Sequence, residues 1–248
     1  LEMGRLGFSA WQGRGGAVSP FESGAGDGFA ALAQADHAVR GAVRLGPVSV
    51  SAEAGGGDRR MPLRPVEEDA STYSRASLAW RTDGGGLAVS MGALNEKLGP
   101  LGAYMPSASD FALPSETTFY ALGGDWRLAR RFSLVGEAGL ARTTLSGRFL
   151  SMDQAATSSN WRLGLLGDCA ALCDRISITL SQPLRVESGV FSARLADAPL
   201  DYFDPLTFSR RTFSATPSGR QIDFTVGARK GLRDGSALTV TGVASREP

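Results

Sequence analysis

One histidine and two cysteines among 248 residues leave this chain poorly equipped for catalysis. A Ser-His-Asp triad would have to use His37, which opens the apolar-flanked stretch "HAVRGAVRL" and suits a rim or a lipid-facing position instead. A zinc site would need more ligands than Cys169 and Cys173 with Asp168 and Asp174 beside them. Neither sign of charge dominates: 26 Lys+Arg against 25 Asp+Glu give a net charge of +1. The charges form no basic block, so nucleic acid is not an expected partner. No apolar run reaches the roughly eighteen residues that a transmembrane helix needs. The opening "LEMGRLGFSAWQGRGG" lacks the apolar core of a signal peptide and reads as the edge of a piece cut from something longer. "GAGDG" at Gly24–Gly28 has no GK[ST] after it and no strand–helix context, so it reads as a loop and not a phosphate cradle.

What the chain does have is alternation. "QIDFTVGAR" sets Ile222, Phe224, Val226 and Ala228 against Gln221, Asp223, Thr225 and Arg229. "SRASLAWR", "LAVSMGA", "FSLVGEAGL" and "NWRLGLL" repeat the pattern. The longest example is "RISITLSQPLRVESGVFSARL", residues 175 to 195. There Ile176, Ile178, Leu180, Leu184 and Val186 are expected on one face, and Ser177, Thr179, Ser181, Arg185 and Glu187 on the other. Pro183 lacks a ladder donor, which predicts a bulge or break at that point. The 32 glycines suit tight turns and crowded strand contacts better than helices.

Period-two segments place strands near 5–12, 37–45, 48–55, 72–82, 86–97, 117–128, 131–145, 159–167, 175–195, 220–230 and 236–246. The linkers between them alternate. Long ones run 13–36, 56–71, 98–116, 146–158 and 196–219, and short ones are centred on Gly46-Pro47, "DGG", Arg130, "DCAALCD" and "GLRDG". Outer-membrane barrels sort their connections this way, with short periplasmic turns and long extracellular loops. Their strands give one face to a polar interior, so a mean hydropathy of −0.08 is compatible with a bilayer. The expected fold is all-β, an antiparallel up-and-down transmembrane β-barrel. Eleven strands are expected here of twelve, since such barrels have even strand numbers. The twelfth is expected just past Pro248, ending in an aromatic residue. The stretch "FAALAQADHAV" fits a short helix, either in a loop or folded into the pore.

Two segments carry a resemblance. "SQPLRVESG" at Ser181–Gly189 and "PSGRQID" at Pro217–Asp223 resemble the carboxy-terminal barrel of proteobacterial subtilisin-like serine proteases of the autotransporter type. Weaker similarity runs through "TTFYALGGDWRLARRFSLVGEAGLART" from Thr117, and the earlier residues match in pattern alone. The resemblance implies that residues 1–248 are a translocator domain in the bacterial outer membrane, with a serine protease passenger upstream. Its implied partners are outer-membrane lipid, that passenger and the barrel-assembly machinery. It implies no cofactor. No "GTSMAAP"-like nucleophile segment occurs in the chain, so enzyme activity is not expected within it.

A general porin or channel is the first alternative, and a soluble periplasmic or adhesive β-sandwich the second. On the polar faces, Arg40, Arg44, Arg75, Glu137, Arg162, Asp223 and Arg229 are candidate lumen-facing residues. Cys169 and Cys173 fit a disulfide closing their turn in an oxidising compartment, with two free thiols as the alternative.

Overall fold

A computed structural model describes residues 5–12, 32, 37–59, 69–97, 99–101, 113–169, 173–197, 207–232 and 236–246. Its strands are β1 (Arg5–Gln12), β2 (His37–Leu45), β3 (Val48–Arg59), β4 (Asp69–Thr82), β5 (Gly85–Glu96), β6 (Ser115–Ala129), β7 (Phe132–Leu145), β8 (Leu150–Asp168), β9 (Arg175–Ala196), β10 (Phe208–Ser214), β11 (Ile222–Gly231) and β12 (Ala237–Arg246). They form a single sheet in the order β1-β2-β3-β4-β5-β6-β7-β8-β9-β11-β12, each pair antiparallel, with β10 beside the far half of β9. Eleven strands therefore run up and down in chain order, as the alternation predicts. A sandwich of two stacked sheets is not what these strands form.

β3 and β4 reach Arg59 and Asp69, into the linker expected at 56–71, and two further boundaries differ more. β8 begins at Leu150, so residues 146–158 are mostly strand and not a long loop. β10 lies within 196–219, where a loop was expected. Both belong to one extension, in which the far ends of β8, β9 and β10 pair side by side.

The alternation does not survive the whole of β9. The β8–β9 ladder shifts register four times, one shift lying between Ser159↔Arg185 and Trp161↔Gln182. That step spans one more residue on β9 than on β8, placing the expected bulge at Pro183. An odd residue turns every later side chain to the other face. Leu184 consequently packs against the buried pair Phe119 and Ala141, and Val186 lies opposite buried Ser158. Arg185 and Glu187 move to the face that carries Ile178 and Leu180. The assignment of these four residues from period two alone is corrected accordingly.

Short turns join strands at one end of the sheet. Gly46, at φ 59° in the left-handed region, turns β2 into β3. Inside the sheet, Gly92 leaves room for the Phe119 ring, which a Cβ there would meet at 2.4 Å.

The two faces of the sheet invert the usual distribution of polarity. One buries Ser71, Ser90, Thr117, Thr143, Ser158, Ser177 and Thr179, together with Tyr73, Leu94 and Phe119. The other exposes Val50, Leu78, Trp80, Val89, Met91, Tyr120, Leu122, Trp126, Leu140 and Leu163, each at least 48% accessible. Leu32, which is helical, packs against both buried clusters: Ala38–Tyr73–Leu94 from β2, β4 and β5, and Phe119–Ala141 from β6 and β7. The rest of the segment around it, and "GAGDG", lie outside the described residues. Among the described residues no helix is long and apolar enough to cross a membrane.

Candidate functional site: the polar face and its outer rim

Register arranges the buried face in rows. One runs Arg44↔Ser49↔Ala79↔Ala88↔Gly123↔Glu137↔Arg162↔Ser181↔Asp223 across β2 to β11. Another runs Arg40↔Glu53↔Arg75↔Gly92↔Phe119↔Ala141↔Ser158. Between them lies a row of small side chains: Ala42, Ser51, Ser77, Ser90, Ala121, Gly139 and Asn160. Six of the seven residues expected on the polar face thus fall in two rows. Arg229, the seventh, sits on the same face of β11 opposite Arg175, near the short turns.

Their contacts are local. Arg75 pairs with Glu53 at 2.8 Å, the Tyr73 hydroxyl donates to the same carboxylate, and Arg40 reaches Ser51 Oγ at 3.4 Å. Arg162 pairs with Glu137 at 3.1 Å. Arg44 donates to the Gly46 carbonyl, and Asp223 accepts from Gln221. Thr117 and Thr143 share a hydrogen bond of 2.9 Å. Ser158 Oγ, Asn160 Oδ1 and Ser177 Oγ are buried on this face with no hydrogen-bond partner among the described residues. The surface is one of spaced charges and hydroxyls, with no nucleophile–base pair, and no metal-binding cluster occurs among the described residues. Sequence reasoning passed over Glu53 and Tyr73. His37 is exposed at the start of β2, on the apolar face at the loop end, as its neighbours suggested.

At the short-turn end Cys169 and Cys173 are joined as a disulfide with Cα atoms 5.2 Å apart. The adjacent Asp174 accepts from Gly231 N–H at 2.6 Å and from Lys230 at 3.1 Å, tying this turn to β11. Those two donors hold its carboxyl below the usual carboxylate range.

At the opposite end, beyond Pro183, the exposed face carries a polar cluster. Ser159 donates to Glu187 at 2.6 Å, Arg185 pairs with Glu187 at 2.5 Å, and Arg220 bridges Gln182 at 2.6 Å and Glu187 at 3.2 Å. Arg185 also donates to the carbonyls of Pro217 and Gly219, and Ala215 N–H to Gly189. The segment between β10 and β11 is thereby tied to β9. Ser159, then Arg220 and Arg185, hold the Glu187 carboxyl below its ordinary range. The two motifs that carry the resemblance meet in this cluster, through Gln182, Arg185 and Glu187 of one and Pro217, Gly219 and Arg220 of the other.

No family model, curated protein or solved structure matches the chain.

Proposed function

We propose that this chain is the translocator and outer-membrane anchor of an autotransporter-type protein, its sheet closing in the whole protein into an up-and-down transmembrane barrel. The observation that carries this reading is the inverted sidedness of the sheet: large apolar side chains are exposed on one face while serines, threonines and ion pairs are buried on the other. In water the exposed face would be a large apolar patch of the kind that drives association. In a bilayer it is solvated by lipid, and the backbone groups are paired strand to strand. On β7 the exposed apolar residues run from Phe132 to Leu140. At about 3.3 Å per residue that is ~26 Å along the strand, or ~20 Å of membrane depth at a tilt of roughly 40°. Trp80, Trp126 and Phe132 lie toward the short turns and Tyr120 toward the other end, which suits interfacial aromatic girdles.

The buried face is the passage, polar and hydrated, through which an unfolded passenger would cross. Leu32 argues against a permanently open channel, because its side chain packs on that face against Tyr73, Leu94 and Phe119, in space that a porin keeps clear. The resemblance of Ser181–Gly189 and Pro217–Asp223 supplies the class of passenger, a subtilisin-like serine protease, whose catalytic residues would lie ahead of Leu1. Long loops then face the exterior and short turns the periplasm.

The test is surface display. A reporter fused ahead of Leu1, on the complete barrel in a Gram-negative host, is expected to become accessible to protease added to intact cells. A reporter that stays in the periplasm, on a barrel that fractionates with the outer membrane, would overturn the secretion role and leave a channel.

A further inference from the structure

The exposed face changes character where the row Met91–Tyr120–Leu140 continues into Ser159 and Arg185. Two residues beyond Leu140 on β7 comes Arg142, exposed on the same face and without an ion pair among the described residues. Its register partners Thr157 and, through β8, Ser188 present hydroxyls beside it. Arg220 lies over Gln182, which shares a row with Trp161. Arg185 and Arg220 share the single carboxylate of Glu187, so one guanidinium charge is left over, and Arg220 keeps 49% of its side chain exposed. Arg185, hydrogen-bonded to Pro217 and Gly219, acts as the positioning residue.

The Arg220 guanidinium therefore lies over β9, two strands from Arg142 on β7, a lateral offset of about 10 Å, with Leu140 at 64% exposure two residues below Arg142 and Tyr120 at 55% beside Leu140 on the apolar face. We propose that this rim binds the phosphorylated headgroup of an outer-leaflet lipid: Arg142 and Arg220 hold the phosphates, Thr157 and Ser188 lie between, and the acyl chains run down over Leu140, Tyr120 and Leu163. Charge complementarity selects an anion, and the apolar surface beginning at the same residues selects one that carries hydrocarbon. The proposal rests on the exposed face being lipid-facing.

The test uses the full barrel with Trp161 as its sole tryptophan, folded into vesicles that carry bromine on the acyl chains of one lipid at a time. The probes are bisphosphorylated lipid A and phosphatidylcholine at equal mole fraction. Lipid A is expected to quench Trp161 preferentially, with the preference falling about fivefold in Arg142→Gln and in Arg220→Gln, and retained in Arg142→Lys. Inorganic phosphate in the buffer is expected to leave the preference unchanged, and relief of quenching by it would overturn a lipid source. Equal quenching by both lipids, or a preference indifferent to both arginine substitutions, would overturn the site while leaving the barrel intact. Quenching by neither would refute the lipid-facing surface itself and the site with it.

Discussion

Phe224 and Thr225 are neighbours in β11 that face opposite ways, and the difference in their surroundings separates a lipid-facing sheet from a water-facing one. Phe224, 45% exposed, shares a row with Leu180 and Leu163, whereas Thr225 lies opposite buried Thr179. In bilayers Phe224→Arg is expected to cost about 2–4 kcal/mol near mid-membrane. Thr225→Arg, on the polar face, is expected to cost less. Urea titration of folding into vesicles checks the ordering, and equal tolerance of the two would remove the case for a lipid face. At this scale period two was enough to place all seven candidate charges on the polar face, because each sits in a segment whose apolar partners alternate cleanly. It was not enough to find what they pair with. Arg75 and the Tyr73 hydroxyl meet Glu53 through the β3–β4 register, which the length of the intervening loop does not reveal.

β9 shows where patterning stops being informative. Its first residues pair with β11 and its last with β10, and the ladder with β8 slips repeatedly between them. Each slip moves side chains to the other face, so the same string of letters means opposite things before and after Pro183. β10, "FSRRTFS", is short and polar, an edge strand that reads as loop until Phe213 is seen against Phe191, ring centroids 5.5 Å apart. The bulge itself was legible, from the missing amide of Pro183. Its consequence, the tie through Glu187 to the 215–221 segment, gives a pH prediction. The Glu187 carboxyl is depressed in the folded protein, so its contribution is complete above its unfolded value of about 4.3 and is lost as pH falls through the lower folded value. Amide exchange at Ala215, whose N–H is held by Gly189, is expected to accelerate over that acid range while the β6–β7 amides stay protected. Glu187→Gln should flatten the dependence, and an unchanged acid response in that variant would assign it to another group. The turn between β8 and β9 is a second element-scale test. A loop as short as the one Cys169–Cys173 closes is expected to contribute at most about 2 kcal/mol. The Cys169→Ser/Cys173→Ser protein should therefore still fold, with a lowered urea midpoint and the β7–β8 ladder intact. Non-reduced protein extracted from membranes should show no free thiol.

For the whole molecule the decisive places are the two edges of the sheet. β1 pairs with β2 and β12 with β11, and no ladder joins β1 to β12 among the described residues. Both faces of β12 are accessible, with Leu238 and Val240 at 58% and 62% on one and Val243 at 63% on the other, as befits a strand whose one partner among the described residues is β11. Eleven antiparallel strands leave the first and last pointing the same way, so an up-and-down ring requires one more strand running against both. In hydrocarbon each unpaired backbone group would cost several kcal/mol, so the edges cannot remain open to lipid. In the complete barrel β1 and β12 are therefore expected to stand two strand spacings apart, about 10 Å, with the closing strand between them. Spin labels introduced at Gly7 and Thr241, measured by pulsed resonance in lipid, test this together with amide exchange of β12. A spacing of one strand, about 5 Å, would mean that β1 and β12 pair directly and that the ring closes with an odd number. A separation of several strand spacings, with β12 amides unprotected, would mean that the sheet stays open, and an open sheet with this apolar face has no stable place in a bilayer.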